Sequence, residues 1–366
     1  PVVVNIDIAP GATATEFLDF EYTTNGSFAA PSHQVVFNNL TTLVPVTVRV
    51  YDDQSSELIP EIFTLTFNVV SGTAVLSVVP TVTFTLNDDS DNPLLKRVTF
   101  LTEDFESGNN PPTGWTLTGA NSNRWGNKNY PGCGSTINNF TMQVYRFSLN
   151  TCGYNINSTS TCTVHRLVNA TGYTSLQATF DWKGEGEDGY DYAELVYSTN
   201  TVTPTWVTVP GAAVMGNSVA TVNTTVDLPA LLDNSTFLLG WRWVNDNNTG
   251  ASPVGFDNLV LSGESARSIE NTLTNDNEWL GPNADIYLYS SNGDIMAHIE
   301  NLSNHNYGCT QVNIDRIGNS AQFITGETDP LKKVFDKTLL ITPTTNNPSG
   351  NYAITLYVTN AEKAGF

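Results

Sequence analysis

Short segments in which apolar and polar residues alternate, broken by Asn-Gly, Asn-Pro and Pro-Ser-Gly turn signals, run the length of this chain and point to strands throughout. Val44, Val46, Val48 and Val50 alternate with Pro45, Thr47 and Arg49. Phe63, Leu65, Phe67 and Val69 alternate with Thr64, Thr66 and Asn68, and Val82, Phe84 and Leu86 repeat the pattern. A period of two puts every second side chain on one face, so each segment reads as a half-buried strand. No long stretch shows helical periodicity, and Asn, Thr, Ser and Gly are abundant while Lys, Glu and Arg are scarce. The expected fold class is all-β. With 366 residues, 40% of them hydrophobic, the chain can bury two or three separate cores.

Two of these strands end in acids. Asp52 and Asp53 follow Val50, Glu57 and Glu61 come next, and Asp88 and Asp89 close the strand after Thr83. If the strands on either side of Pro60 pair antiparallel and the third returns alongside, all six carboxylates meet at one end of a sandwich. So many negative charges crowd together only around a cation. Several hard oxygen donors per site suit calcium.

This arrangement resembles the Calx-beta domain, a calcium-binding sandwich of exchangers, integrin subunits and bacterial surface proteins. The resemblance rests on the paired Asp52 and Asp53, on Glu57 and Glu61, on the aromatic strand from Phe63, and on Asp88 with Asp89. Gly11 to Ala14 followed by Asp19-Phe20 matches the small-residue stretch before an Asp-aromatic pair, which makes Asp19 a further expected ligand. Ser90 departs from a third consecutive aspartate.

A second module opens with Glu103-Asp104-Phe105-Glu106 and Pro111-Pro112-Thr113-Gly114-Trp115, passes through Phe180-Asp181-Trp182-Lys183-Gly184-Glu185-Gly186-Glu187, and closes with Gly255-Phe256-Asp257-Asn258. In that order the pieces resemble the cleaved-adhesin family, also described as choice-of-anchor J, a jelly roll related to MAM domains. The resemblance implies a two-sheet sandwich, with Phe237, Leu239, Trp241 and Trp243 on one inner face. It also implies a second calcium held by Asp104, Glu106 and Asp257. Trp125 and Tyr130 stand in a Gly/Asn/Pro-rich stretch and are the candidate exposed aromatics for a glycan platform. Trp182, Trp241 and Trp243 sit in apolar alternation and are expected in the core.

Cys133, Cys152 and Cys162 lie within thirty residues, while Cys309 is far downstream. A secreted context favours one disulfide in the middle region, and the residues alone leave three pairings open. Related jelly rolls carry cysteines in this region, which favours Cys133 with Cys152. Cys309 is expected to be a buried free thiol. A third module is signalled by Ile286 to Tyr289 and Ile295 to Ile299 flanking Asn292-Gly293, a type I′ hairpin signal, and by alternation from Tyr352 to Val358. The expected domains are a Calx-beta-like sandwich over 1–93, a jelly roll over 97–263 and a small accessory sandwich over 270–366.

No HExxH, GxSxG or P-loop pattern is present among the motifs of catalysis. His298, His305 and Cys309 lack zinc-site spacing and fit a structural hairpin. Glu185, Glu187, Asp188 and Asp191 resemble a glycosidase carboxylate pair, but their Gly-rich setting fits a loop or weak cation site better. A net charge of -21 disfavours nucleic acid and anionic membranes and accords with calcium. The expected function is a non-catalytic, calcium-stabilised segment of a larger secreted or cell-surface adhesin with a glycan or protein partner. The resemblances imply a bacterial, outer-membrane-associated protein exported by the type IX pathway. The alternatives are an accessory region of a secreted peptidase and a structural spacer.

Overall fold

A computed structural model describes the chain except residues 18, 29, 39–42, 51–60, 75–79, 87–91, 120, 121, 131–135, 148, 151, 188, 251, 324–332 and 366. Almost all regular structure is β, as the alternation requires. Contacts divide the chain into two compact units: Lys96–Ala266, and Pro1–Leu95 together with Arg267–Phe366. The sequence expectation drew three domains. The first and third segments do keep separate sheets and separate hydrophobic clusters, yet their contacts group them as one unit.

The N-terminal segment contains β1 (Val2–Ile8), β2 (Phe20–Thr23), β3 (Gln34–Phe37), β4 (Thr47–Val50), β5 (Glu61–Ser71) and β6 (Thr81–Leu86). One sheet runs β3-β1-β5-β6 and the other is β2-β4. The strands before and after Pro60 therefore lie in different sheets, which corrects the expected antiparallel pairing across that proline. Chain proximity favoured a hairpin, but β4 instead sets Val48 against Tyr22 and Val50 against Phe20. The pairing of β5 with β6 does form, with Phe63 opposite Phe84 and Glu61 opposite Leu86. Phe20 of the small sheet stacks on Phe63 of the large one, centroids 3.5 Å apart, and Phe63 stacks on Phe84 at 4.7 Å. These rings lock the two sheets together where the strands approach their acidic ends.

The unit Lys96–Ala266 is a sandwich. Its strands are β7 (Leu95–Glu103), β8 (Trp115–Gly119), β9 (Asn123–Lys128), β10 (Thr141–Arg146), β11 (Ser160–Asn169), β12 (Thr174–Gly184), β13 (Tyr192–Ser198), β14 (Val207–Thr208), β15 (Ser218–Asp227), β16 (Thr236–Asn245) and β17 (Gly255–Ala266). One sheet runs β15-β12-β17-β10-β9 with β7 also on β17, and the other runs β14-β13-β16-β11-β8. Leu176, Ala178, Phe180 and Trp182 from β12 meet Phe237, Leu239, Trp241 and Trp243 from β16 in one core. Every second residue supplies it, as the period of two predicts. Trp241 stacks on Phe256 at 3.7 Å across the sheets. Gly240 is required next to it, where β16 packs closely on β11 of the same sheet: a Cβ there would lie 2.3 Å from the Val164 carbonyl oxygen. Each large side chain buried in this core contributes roughly 1.5–3 kcal/mol.

The C-terminal segment comprises β18 (Thr274–Leu280), β19 (Asp285–Tyr289), β20 (Ile295–Asn301), β21 (Gly308–Arg316), β22 (Gln322–Phe323), β23 (Lys333–Val334), β24 (Thr338–Pro343), β25 (Tyr352–Leu356) and a short helix α1 (Asn360–Gly365). Sheets β18-β21-β24 and β19-β20-β25 enclose a small core. The hairpin β19-β20 forms where Asn292-Gly293 signalled it, but the turn is not type I′. Its connection spans five residues, and of the two central residues only Gly293 has positive φ, at 73°, whereas type I′ needs it at both. Lys337 is buried and donates to the carbonyls of Glu270 (2.6 Å) and Tyr357 (2.8 Å), tying the start of the segment to its end. Arg267 and Tyr289 both donate to the Pro93 carbonyl, at 3.0 and 2.9 Å, which fastens the end of the N-terminal segment to this one.

Candidate metal centres

In the N-terminal segment Asp52, Asp53, Glu57, Asp88 and Asp89 lie outside the described residues. Asp19 and Glu61 are described. Phe20 faces Val50, and Glu61 faces Leu86, two residues beyond the Phe63 and Phe84 pair on which Phe20 stacks. Asp19, Val50, Glu61 and Leu86 thus sit towards one end of the segment. One oxygen of Asp19 is already engaged, accepting from the Thr15 N–H at 2.6 Å.

The middle unit brings Glu106 and Asp257 together. Phe105 takes a left-handed backbone (φ 56°) and drives its ring into the core, edge-on to Phe256 at 5.4 Å, so its neighbours Asp104 and Glu106 are left exposed. Asp257 on β17 has no exposed surface. It accepts from the Asn258 N–H at 2.7 Å and the Thr141 hydroxyl at 3.4 Å. Burial first, and then the negative charges of Glu106 and Asp181, push its carboxyl up to about 7. Asp181 stands directly across from Asp257 on β12. Sequence reading gave Asp181 no role, although its place in the acidic middle motif was the available signal. Asp104 accepts from the Glu106 N–H at 3.1 Å and lines one hollow with Asn258, the neighbour of Asp257.

A second carboxylate group in the same unit consists of Glu187, Asp191 and Asp246, each offering one oxygen within 4.8 Å of the others. Asp191 is fully buried; Tyr154 donates to one of its oxygens and the Asp246 N–H to the other at 2.9 Å. Burial, with Asp246 and Glu187 nearby, raises its carboxyl above the usual range despite these bonds. Glu187 Oε2 is buried with no hydrogen-bond partner. The turn depends on Gly186, at φ 52°, where a Cβ would lie 2.0 Å from the Asp191 carbonyl oxygen. Sequence reading flagged Glu187 and Asp191 but missed Asp246, which is distant in the chain. Tyr192 faces Val244 in the β13-β16 register, so Asp191 and Asp246 leave neighbouring strand ends side by side. Glu185 turns to Ser252 instead, and Asp188 lies outside the described residues. Among the described residues no basic side chain forms an ion pair with Glu106, Asp257, Glu187, Asp191 or Asp246.

The aromatic candidates need correction. Trp125 does not stand in an exposed loop: it lies on β9, 1% exposed, edge-on to Phe256, with its indole N–H donating to the Cys162 carbonyl at 3.2 Å. Tyr130 is half-buried and donates to the Asn150 carbonyl at 2.8 Å. Cys309 is exposed rather than buried; the buried thiol is Cys162, pushed up to about 12 by burial. Cys133 lies outside the described residues. Ellman's reagent should therefore titrate Cys309 in the native protein and Cys162 only after unfolding, because the thiolate is the reactive species. A native Cys309→Ser protein that still reacts would contradict this.

No family description and no curated protein matches this chain. Among solved structures it is similar to the K3 cleaved adhesin domain of Lys-gingipain from Porphyromonas gingivalis, at 13% identity over 46% of this chain and 99% of that one, with a TM-score of 0.33. It is similar to the module TmCBM61, solved with beta-1,4-galactotriose, at 12% identity over 43% of this chain and 93% of that one, TM-score 0.30. The CBM22-1 xylan-binding domain of Paenibacillus barcinonensis Xyn10C gives 10% identity over 47% and 97%, TM-score 0.30.

Proposed function

We propose that this chain is a non-catalytic, calcium-stabilised segment of a larger secreted or surface adhesin, and that its middle unit engages a glycan or protein partner. The observation that carries the reading is the pair of carboxylate groups in one sandwich, each built on a fully buried aspartate and lacking a basic partner among the described residues. The donor set of Glu187, Asp191 and Asp246 fits a hard cation. At the other place Asp104, Glu106 and Asp257 are the proposed ligands, while both Asp181 oxygens accept from the side-chain amides of Asn223 and Asn258. Bound calcium would supply the missing positive charge and tie together turns that otherwise repel. In the N-terminal segment Asp19, Asp52, Asp53, Glu57, Glu61, Asp88 and Asp89 are the proposed ligands of a further ion.

The adhesive part rests on the sequence resemblance of the motifs from Glu103 to Asn258. Export by the type IX pathway and residence at a bacterial outer membrane belong to the same proposal. Among the described residues no helix is long and apolar enough to cross a membrane. Cys133 and Cys152 are the proposed disulfide, since Cys162 and Cys309 carry free thiols. A glycan array probed in calcium, in EGTA and after calcium is restored tests the reading. Signals that vanish in EGTA and return with calcium are expected, together with no turnover of casein or aryl glycosides. An array without calcium-dependent signal would leave a spacer, and hydrolysis would overturn the non-catalytic assignment.

A further inference from the structure

In the C-terminal segment the two three-stranded sheets do not close on each other where β24 turns into β25. A cavity of about 200 Å³ remains there, walled by Leu280, Ile299, Tyr307, Ile341, Tyr352 and Ile354. It is open along β25, because Tyr352 and Ile354 are 57% and 38% exposed although they pair with Asn301 and Ile299 of β20. Asn346, Asn347 and Pro348 of the connecting turn also line it, and no lining residue is charged. Tyr307 is 5% exposed, and its hydroxyl is buried without a hydrogen-bond partner.

We infer that this cavity is a binding site for a single neutral aromatic ring. An apolar cavity of about 150 Å³ stays dry and accepts a benzene-sized ring, so the space here suits a ring between phenol and indole in size. The aliphatic walls disfavour a sugar, whose hydroxyls against Leu280, Ile299 and Ile341 would lack partners, although Thr310, Asn346 and Asn347 also line the cavity. They exclude a carboxylate or phosphate for the same reason, since no basic group lines the site. Tyr352, 57% exposed, adds an aromatic side chain to the lining.

Saturation-transfer NMR and calorimetry on the full chain, with phenol, indole, benzene, benzoate and methyl β-galactoside as probes, test this. Phenol and indole are expected to bind saturably, benzoate at least about tenfold more weakly, and the galactoside not at all. Ile354→Trp, which fills the cavity from its open side, should abolish binding. Benzene should bind within about threefold of phenol, because the cavity recognises the ring and not its polar atom. N-acetyltryptophanamide binding as well as indole would assign the site to a side chain of a partner polypeptide, and indole binding alone to a free small aromatic. No binding by phenol or indole, binding unchanged in Ile354→Trp, or galactoside competing with indole would each overturn the inference.

Discussion

Calcium is expected to raise the melting temperature of the middle unit by roughly 5–10 °C at a hundredfold excess over its dissociation constant, and EGTA is expected to reverse the shift. The size follows from mass action: a ligand held only by the folded state at that excess contributes about 2.7 kcal/mol, and for a unit of this length each kcal/mol moves the transition by roughly 2–4 °C. The direction follows from the orphaned Glu187 oxygen and from the absence of any basic partner for Asp191 or Asp257 among the described residues. Glu187→Gln should act with opposite signs in the two media. In EGTA it removes one of three crowded charges and holds or raises stability; in calcium it removes a ligand and shrinks the shift. Glu106→Gln should do the same for the other group. Calorimetry of the wild type and both variants separates the two places. A transition indifferent to calcium in the wild type would remove the cation from the account, and an equal shift in all three proteins would place it elsewhere.

The strands were legible because their signal is local. Leu176, Ala178, Phe180 and Trp182 face one core for the same reason that they occupy alternate positions, and nothing distant had to be known. Pairing is not local. The sequence around Pro60 looked like a hairpin, yet β4 found β2, where Val48 stands opposite the buried Tyr22 and packs on the cluster around Phe20 and Phe63. The metal groups divide along the same line. Glu187 and Asp191 stand four residues apart in an acid-dense run and were visible; Asp246 joins them only through the β13-β16 register, which no local pattern encodes. Asp104 and Glu106 were visible in the same way: they flank the left-handed Phe105 in one short motif, and Asp104 lines a hollow with Asn258.

Exposure was the least legible property, and Trp125 shows why it matters. Gly126, Asn127 and Asn129 around it have loop-like composition, yet the segment pairs with β10 over six residues, setting Trp125 opposite Val144. Tertiary pairing overrides weak local propensity. The consequence is a large stability effect where composition alone pointed to a surface-binding defect. Trp125→Ala should destabilise the middle unit by about 3–5 kcal/mol, the range for removing a buried aromatic and leaving a cavity behind. Trp125→Phe should cost less, because it keeps most of the packing against Phe256 and gives up the indole bond to the Cys162 carbonyl, worth about 1 kcal/mol, along with part of the ring volume. Tyr130→Phe should stay within about 1.5 kcal/mol, since it removes one partly exposed hydrogen bond to Asn150. Urea unfolding followed by tryptophan fluorescence and by circular dichroism would give all three values. Trp125→Ala within about 1 kcal/mol of wild type would show that the indole does not hold the two sheets together, and would return Trp125 to the set of candidate surface aromatics.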